Sequence, residues 1–267
     1  RGLAHVRFLD DEGSRSGMIE PIKENLLMFK KMRDELTRFS VVYKFALDEM
    51  NTKINILKEE FKYIHEYSPI EHVSSRLKSP ESILNKLQRK DLDMSLKTIK
   101  GNILDIAGIR ITCSFESDIY TISEMISRQK DVEVLEIKDY VKNPKPNGYR
   151  SLHLIVRVPV FLSDREERVP VELQIRTIAM DFWASLEHKI YYKYDKAIPE
   201  RLSNELMEAA QSAAALDKKM ENIHNEIKVI KEVSSLASDD DNNILLNEYK
   251  DNKNAITAFL THFEKED

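Results

Sequence analysis

The sequence predicts an α/β (α+β) fold, a mixed β-sheet of about five strands flanked by helices, some of them long and terminal. Short blocks that alternate apolar and polar residues are interleaved with stretches of helical spacing. The chain has 267 residues, 42% hydrophobic and 33% charged, enough for one large domain or a medium domain with helical extensions.

Apolar residues Leu26, Phe29, Met32 and Leu36, then Val42, Phe45, Met50, Ile54 and Leu57, predict one long helix or two from Ile22 to about His65. Ser68-Pro69 ends it, because the residue before a proline is pushed out of the α region. Ser79-Pro80-Glu81 supplies an N-cap residue, a proline for the first helical position and an acid near the positive helix end, which predicts a helix over 80–90. Ile109, Ile111, Cys113 and Phe115 alternate with Arg110, Thr112 and Ser114, a strand with one apolar face. A helix over 118–129 follows, then strands over Val132–Ile137, Arg150–Val158 and Val169–Arg176, with a Pro and Asn-Gly loop, Asn143–Gly148, before the third. Ala179–Lys193 returns to helix, with Phe182 and Trp183 assigned to the core. After Pro199, residues Leu202, Leu206, Ala209, Ala213, Leu216, Met220, Ile223, Ile227 and Ile230 form a heptad-like stripe. Such a stripe either packs on its own domain or builds an oligomer interface, and the spacing does not choose between them. Asp239–Asn243 reads as a flexible link.

Composition removes several function classes. Forty-one Lys and Arg against 46 Asp and Glu leave a net charge of -5, which speaks against a general nucleic-acid coat. The single cysteine, Cys113, excludes an internal disulfide framework and a multi-cysteine zinc site, and fits a reducing, cytoplasmic setting. No run of about 18 apolar residues marks a membrane span. Of six glycines, Gly2, Gly13 and Gly17 lie in a leader that reads like an expression scar. The remaining Gly101, Gly108 and Gly148 form neither a dinucleotide fingerprint nor a P-loop, so bound phosphates must be held by side chains.

Strand alternation puts Glu172, Gln174 and Arg176 on one face and Val171, Leu173 and Ile175 on the other, although a solvated sheet face would show the same row. Asp105, just before Gly108, either caps a turn or joins Glu172 in holding Mg²⁺, which favours one or two carboxylates plus phosphate oxygens. Between Val73 and Lys90 there are five basic residues and one acidic one. Ser82, Lys86 and Arg89 share a helix face opposite Ile83, Leu84 and Leu87, and Arg76 and Lys78 precede them with strand-like spacing. A charged helix face is most often only solvated, but beside the carboxylate pair this one reads as a triphosphate clamp. Arg76 and Arg110 are candidates to sandwich a base. Lys145, Tyr149, Arg150 and His153 gather near a strand start, where Tyr149 either packs on the sheet or offers a second base a stacking face. On the following helix lies Asp181, with Glu187 further along.

The strings DIAGIRI from Asp105, KPNGYRSLH from Lys145 and VELQIRTIAMDFWASLEHKIYYK from Val171 resemble the small alarmone synthetases, RelP/RelQ-like relatives of the RelA/SpoT synthetase domain. The resemblance covers about residues 67–200. It implies a nucleotidyltransferase-like fold and a Mg²⁺-dependent transfer of the β,γ-pyrophosphate of ATP to the 3'-hydroxyl of GTP or GDP, yielding (p)ppGpp and AMP. Arg76, Lys78, Ser82, Lys86 and Arg89 match the ATP-phosphate segment, and Arg76 with Arg110 the adenine sandwich. Asp105 and Glu172 match the magnesium pair, Glu172 also the residue that activates the acceptor hydroxyl, and Tyr149 the guanine-stacking tyrosine. Lys145, His153, Gln174, Asp181 and Glu187 fall in GTP/GDP-side motifs. No histidine is followed by Asp, which sets the chain apart from bifunctional relatives with a hydrolase domain. His72 and Ser74 stand where the RelQ-like branch has an aromatic and a threonine, which favours the RelP-like branch and speaks against product activation.

The implied organisation is a leader over 1–17, N-terminal helices over 18–66, a synthetase domain over 67–198, an oligomerisation helix over 199–236 that builds a homotetramer, and a flexible or weakly helical tail over 237–267. Two other functions use the same features. A nucleotidyltransferase moving AMP onto RNA or protein needs the same carboxylates, metal and clamp, and a non-catalytic helical oligomer would bind single-stranded RNA through the basic helix and Tyr149.

Overall fold

A computed structural model describes residues 12–64, 67–192 and 199–237. Residues 1–11 of the expected leader and 238–267 of the expected tail lie outside the described residues. The N-terminal segment is one helix, α1 (Glu12–Ile64), that runs unbroken across residues 17 and 18. Phe39, Val42, Tyr43, Ala46, Leu47, Met50 and Ile54 are its buried positions among the described residues, and their three- and four-residue spacing puts them on one face. Phe45, grouped by its spacing with the apolar set, is exposed.

Five strands form the sheet: β1 (Ile70–Leu77), β2 (Ala107–Cys113), β3 (Glu133–Asp139), β4 (Leu152–Phe161) and β5 (Glu166–Thr177). Their order is β1-β2-β5-β4-β3. Only β2 and β5 pair in parallel; β1 with β2, β4 with β5 and β3 with β4 are antiparallel. The sheet is therefore mixed, as expected. Ala107, Ile109 and Ile111 of β2, Leu152, Leu154 and Val156 of β4 and Val171, Leu173 and Ile175 of β5 join the α1 residues in one core. Ile119, Ile122 and Ile126 of α4 (Glu116–Ser127) complete it.

The short helix α2 (Pro80–Arg89) begins as its cap signal requires: the Ser79 side chain accepts from the Ser82 amide at 3.2 Å. Ile83 and Leu87 are buried, but Leu84 is exposed; the buried stripe of this ten-residue helix is narrower than the sequence implies. A helix with no expectation behind it, α3 (Leu96–Asn102), is capped by Ser95 and has no buried residue.

Helix α5 (Ile178–Tyr192) follows β5 directly. The Thr177 hydroxyl accepts from the Met180 amide at 3.1 Å and donates to Asp217 at 2.5 Å. Trp183 is buried as expected, whereas Phe182 is 65% exposed, because α5 turns Met180, Trp183 and Ala184 inward instead. Helix α6 (Glu200–Ala237) docks on the domain through Ala210, Asp217 and Glu221, all buried and sharing one helix face. Trp183 donates to the Leu206 carbonyl at 3.1 Å, and the Ser117 amide donates to Glu221 at 3.1 Å. The heptad-like stripe faces elsewhere: Leu216, Met220, Ile223 and Ile227 stay exposed.

The loop before β4 is tied to α6 at Gly148. Its amide donates to the Lys145 carbonyl at 2.8 Å, closing a turn over Pro146-Asn147. Gly148 has φ +87°, and a Cβ there would lie 2.5 Å from the Ala210 Cβ. Gly148→Ala should therefore cost about 1–3 kcal/mol, read as a lowered thermal unfolding midpoint; an unchanged midpoint would show that the loop and α6 are not in contact.

Candidate active site

Strand register assembles the polar face of the sheet. Gly108 pairs with both Arg76 and Glu172. At the next level, Arg110 pairs with both Ser74 and Gln174, and Gln174 with His153. Directly paired residues point to the same face, so residues from four strands share one surface. Gly108 contributes no side chain between Arg76 and Glu172. A 220 Å³ cavity lies there, lined by Ser74, Arg76, Gly108, Arg110, Glu172 and Gln174 among others.

One end of this surface is cationic. Lys78, at the end of β1, and Lys86, on α2, place their ammonium groups 2.6 and 2.7 Å from the same Asp105 oxygen. Burial by itself pushes the Asp105 carboxyl up, but the two lysines outweigh it and hold it below the usual carboxylate range. Its other oxygen, Oδ1, is buried and has no hydrogen-bond partner. Arg110 lies 3.3 Å from Asp181 on α5. Ser82 is occupied at the helix cap with Ser79, and Arg89 donates to the Asn85 carbonyl at 3.3 Å. Neither is drawn toward Asp105, so of the five residues expected in the clamp Lys78 and Lys86 are the two seen paired with this carboxylate.

Glu172 is held by weaker donors. One oxygen lies 3.2 Å from His153 Nδ1, and the other accepts from Gln174 at 2.9 Å. Burial pushes its carboxyl up, the His153 and Gln174 contacts more than offset this, and the nearby Asp105 charge works against them. The net direction is downward.

At the opposite end Tyr149 is fixed by its hydroxyl, 2.8 Å from His153 Nε2 and 3.1 Å from Arg176. Lys145 sits over its ring at 4.8 Å. Asn147 ties the loop to α5 by donating to Glu187 at 3.1 Å, and Asp181 accepts from Arg176 at 3.2 Å.

The sequence-derived residues thus converge in two groups. Arg76, Lys78, Lys86, Arg110 and Asp105 gather toward β1 and β2; Lys145, Tyr149, His153, Gln174, Asp181 and Glu187 gather toward β4, β5 and α5, with Glu172 between them. Sequence reasoning missed Tyr140. It lies 6.2 Å from Tyr149 and edge-on to His153 at 5.2 Å, with Lys145 over its ring at 4.7 Å. No spacing signal marks it, since only the β3–β4 register and a bond from its amide to the Ser151 carbonyl bring it there. Arg176 was legible as a member of the polar row, but its burial was not.

Comparison with known proteins agrees with this geometry. Residues 75–197 match the family model described as a region found in RelA / SpoT proteins. GTP pyrophosphokinase YwaC from Bacillus subtilis (strain 168) is 54% identical over 187 residues, 70% of this chain and 89% of that protein. The crystal structure of small alarmone synthetase 2 from Bacillus subtilis is 52% identical, with a TM-score of 0.64 over 70% of this chain and 96% of that one. That of small alarmone synthetase 1 from the same organism, bound to its product pppGpp, is 40% identical, with a TM-score of 0.67 over 72% and 98%. The chain belongs to the RelA/SpoT family of GTP pyrophosphokinases, among its small alarmone synthetases.

Proposed function

We propose that this (p)ppGpp synthetase uses the cationic end of the sheet to bind ATP and the Tyr149 end to bind GTP or GDP, with Glu172 between them as the base for the acceptor 3'-hydroxyl. The observation that carries this reading is the position of Glu172: among the described residues it is hydrogen-bonded to His153 and Gln174, and it borders the cavity that Arg76 and Arg110 also line. A ribose hydroxyl is a poor nucleophile at neutral pH. A carboxylate held ionised within reach of it supplies the proton acceptor, and the hydroxyl then attacks the β-phosphorus as AMP leaves. Lys78 and Lys86, which neutralise Asp105 in the free protein, are placed to turn to a triphosphate, neutralising charge on the group in transit. Arg76 and Arg110 offer planar faces for adenine. Lys145, His153, Gln174, Asp181 and Glu187 serve the acceptor nucleotide, around the stacking face of Tyr149. Ser82 and Arg89 join the phosphate contacts only by leaving their present partners.

The residues present fit Mg²⁺. Asp105 has a buried oxygen without a partner, and Glu172 supplies a second carboxylate. Among the described residues no group of three or more His, Cys, Asp and Glu is assembled to hold a metal, which suits a hard cation that takes its remaining ligands from phosphate and water. When bound, Mg²⁺ would polarise the phosphoryl oxygens. The exposed stripe of α6 fits contacts between copies in a homotetramer. Among the described residues no helix is long and apolar enough to cross a membrane, in keeping with a cytoplasmic enzyme that draws on free nucleotides; RNA forms no part of this reading.

Incubation with γ-labelled ATP, Mg²⁺ and GDP or GTP should put label on the guanosine product and release AMP. Label recovered in free pyrophosphate, with AMP left on an acceptor, would assign the chain to AMP transfer instead. Glu172→Gln should lower kcat by roughly 10²–10⁴-fold, the usual contribution of a general base, with ATP binding kept; undiminished turnover would remove Glu172 from the mechanism. Tyr149→Ala should raise the KM for the guanosine substrate by the loss of about 1–3 kcal/mol of stacking and leave the KM for ATP nearly unchanged, and equal effects on both would place Tyr149 outside the acceptor site.

A further inference from the structure

Arg176 is 3% exposed, the most buried charged residue of the polar row. Among the described residues its one carboxylate contact is a single 3.2 Å bond from Nη1 to Asp181, through an oxygen that also lies 3.3 Å from Arg110. Its Nε is buried and has no hydrogen-bond partner. A guanidinium held this incompletely contributes poorly to fold stability, because the desolvation of a buried cation is offset only by well-paired partners. Its other bonds reach functional side chains. Nη2 donates to Gln174 Oε1 at 2.6 Å and to the Tyr149 hydroxyl at 3.1 Å, and the guanidinium carbon lies 5.4 Å from the centre of the Tyr149 ring.

These contacts close a ring. From Arg176 one arm runs through Gln174 to Glu172 Oε2; the other runs through Tyr149 and His153 to Glu172 Oε1. The donor and acceptor chemistry fixes a direction. Arginine only donates, and an ionised carboxylate only accepts. With His153 neutral, the Tyr149 oxygen accepts from Arg176 and gives its own hydrogen to His153 Nε2, while His153 Nδ1–H and the Gln174 amide point at Glu172. Both arms pass donation from the buried cation to the carboxylate, and bonds aligned head to tail in this way strengthen one another.

We propose that Arg176 is a positioning residue for the acceptor nucleotide, setting through this ring both the stacking face of Tyr149 and the orientation of Glu172. This rests on the proposed placement of the acceptor at Tyr149. The aromatic ring that would bind guanine and the carboxylate that would meet the ribose 3'-hydroxyl are then fixed relative to each other by one guanidinium. The acceptor finds both ends of its site already spaced, without ordering two independent side chains on binding. Lysine cannot replace it, since a single ammonium lacks the planar fork that reaches Gln174, Tyr149 and Asp181 together.

The test is a double-mutant cycle of Arg176→Lys and Tyr149→Phe. It is read as KM for GDP, KM for ATP and kcat, with GDP binding measured by calorimetry and thermal midpoints recorded as a folding control. Arg176→Lys should raise the GDP KM about tenfold, equivalent to about 1.4 kcal/mol, lower kcat, and leave the ATP KM within about twofold. Tyr149→Phe, which keeps the ring and loses the anchor, should raise the GDP KM in the native background and add little once Arg176 is replaced. Fully additive effects, or equal changes in the two KM values, overturn the proposal. If Arg176→Lys does not fold, Tyr149→Phe decides alone, and an unchanged GDP KM overturns it. Calorimetry separates this from the parent reading. Normal GDP affinity in Arg176→Lys sinks the positioning claim even where the wild-type chain makes (p)ppGpp, whereas weakened GDP binding upholds it even where the wild-type product proves different.

Discussion

The parallel pairing of β2 with β5 is the constraint on which the site depends. Because strand side chains alternate, this register sets Gly108 against Glu172 and Arg110 against Gln174 while turning Ala107, Ile109, Ile111, Val171, Leu173 and Ile175 into the core. A slip by one residue would exchange the two faces, burying a carboxylate and an arginine and exposing the aliphatic set. Each of the larger aliphatic side chains is worth about 1.5–3 kcal/mol on burial. The core therefore holds the register with a wide margin, and individual residues of the polar face can change without moving the frame that carries them.

Within that frame the two central carboxylates are treated differently. Asp105 is met by two ammonium groups on one oxygen, so its charge is balanced inside the protein. Glu172 is met by an amide and an imidazole, and these contacts outweigh burial to hold its carboxyl below the usual range. The difference follows from position: Asp105 precedes β2, where Lys78 after β1 and Lys86 of α2 reach it, while Glu172 lies in mid-strand opposite Gly108 and Ile155, with Gln174 next on its face.

Legibility in the sequence followed the range of the forces involved. The row Glu172, Gln174, Arg176 needed only the two-residue period of a strand, and the start of α2 only the Ser-Pro-Glu cap. Helix α3 left no signal because it is seven residues long and buries nothing. Leu84 and Phe182 were misplaced because an apolar residue near a helical stripe is decided by what packs opposite it; α5 buries Met180, Trp183 and Ala184 and leaves Phe182 outside. Tyr140 needed the register of β3 on β4, a non-local fact. The burial of Arg176 was hidden for the same reason, since a guanidinium on a polar row reads as solvated until the tyrosine and helix that cover it are in place.

Helix α6 shows why an apolar stripe alone could not decide what it packs against. The face that meets the domain carries two buried acids, Asp217 bonded to the Thr177 hydroxyl and Glu221 bonded to the Ser117 amide. Burial pushes the Asp217 carboxyl up, and its bond to Thr177 only partly opposes this. These contacts are directional, so they fix where α6 sits along α5 and α4, beside the small apolar cluster of Trp183, Ala184 and Ala210. Thr177 adjoins Arg176 and caps α5, and Gly148 beside Tyr149 presses against Ala210. The placement of α6 is therefore coupled to both ends of the proposed acceptor side through short contacts, while its apolar stripe stays open.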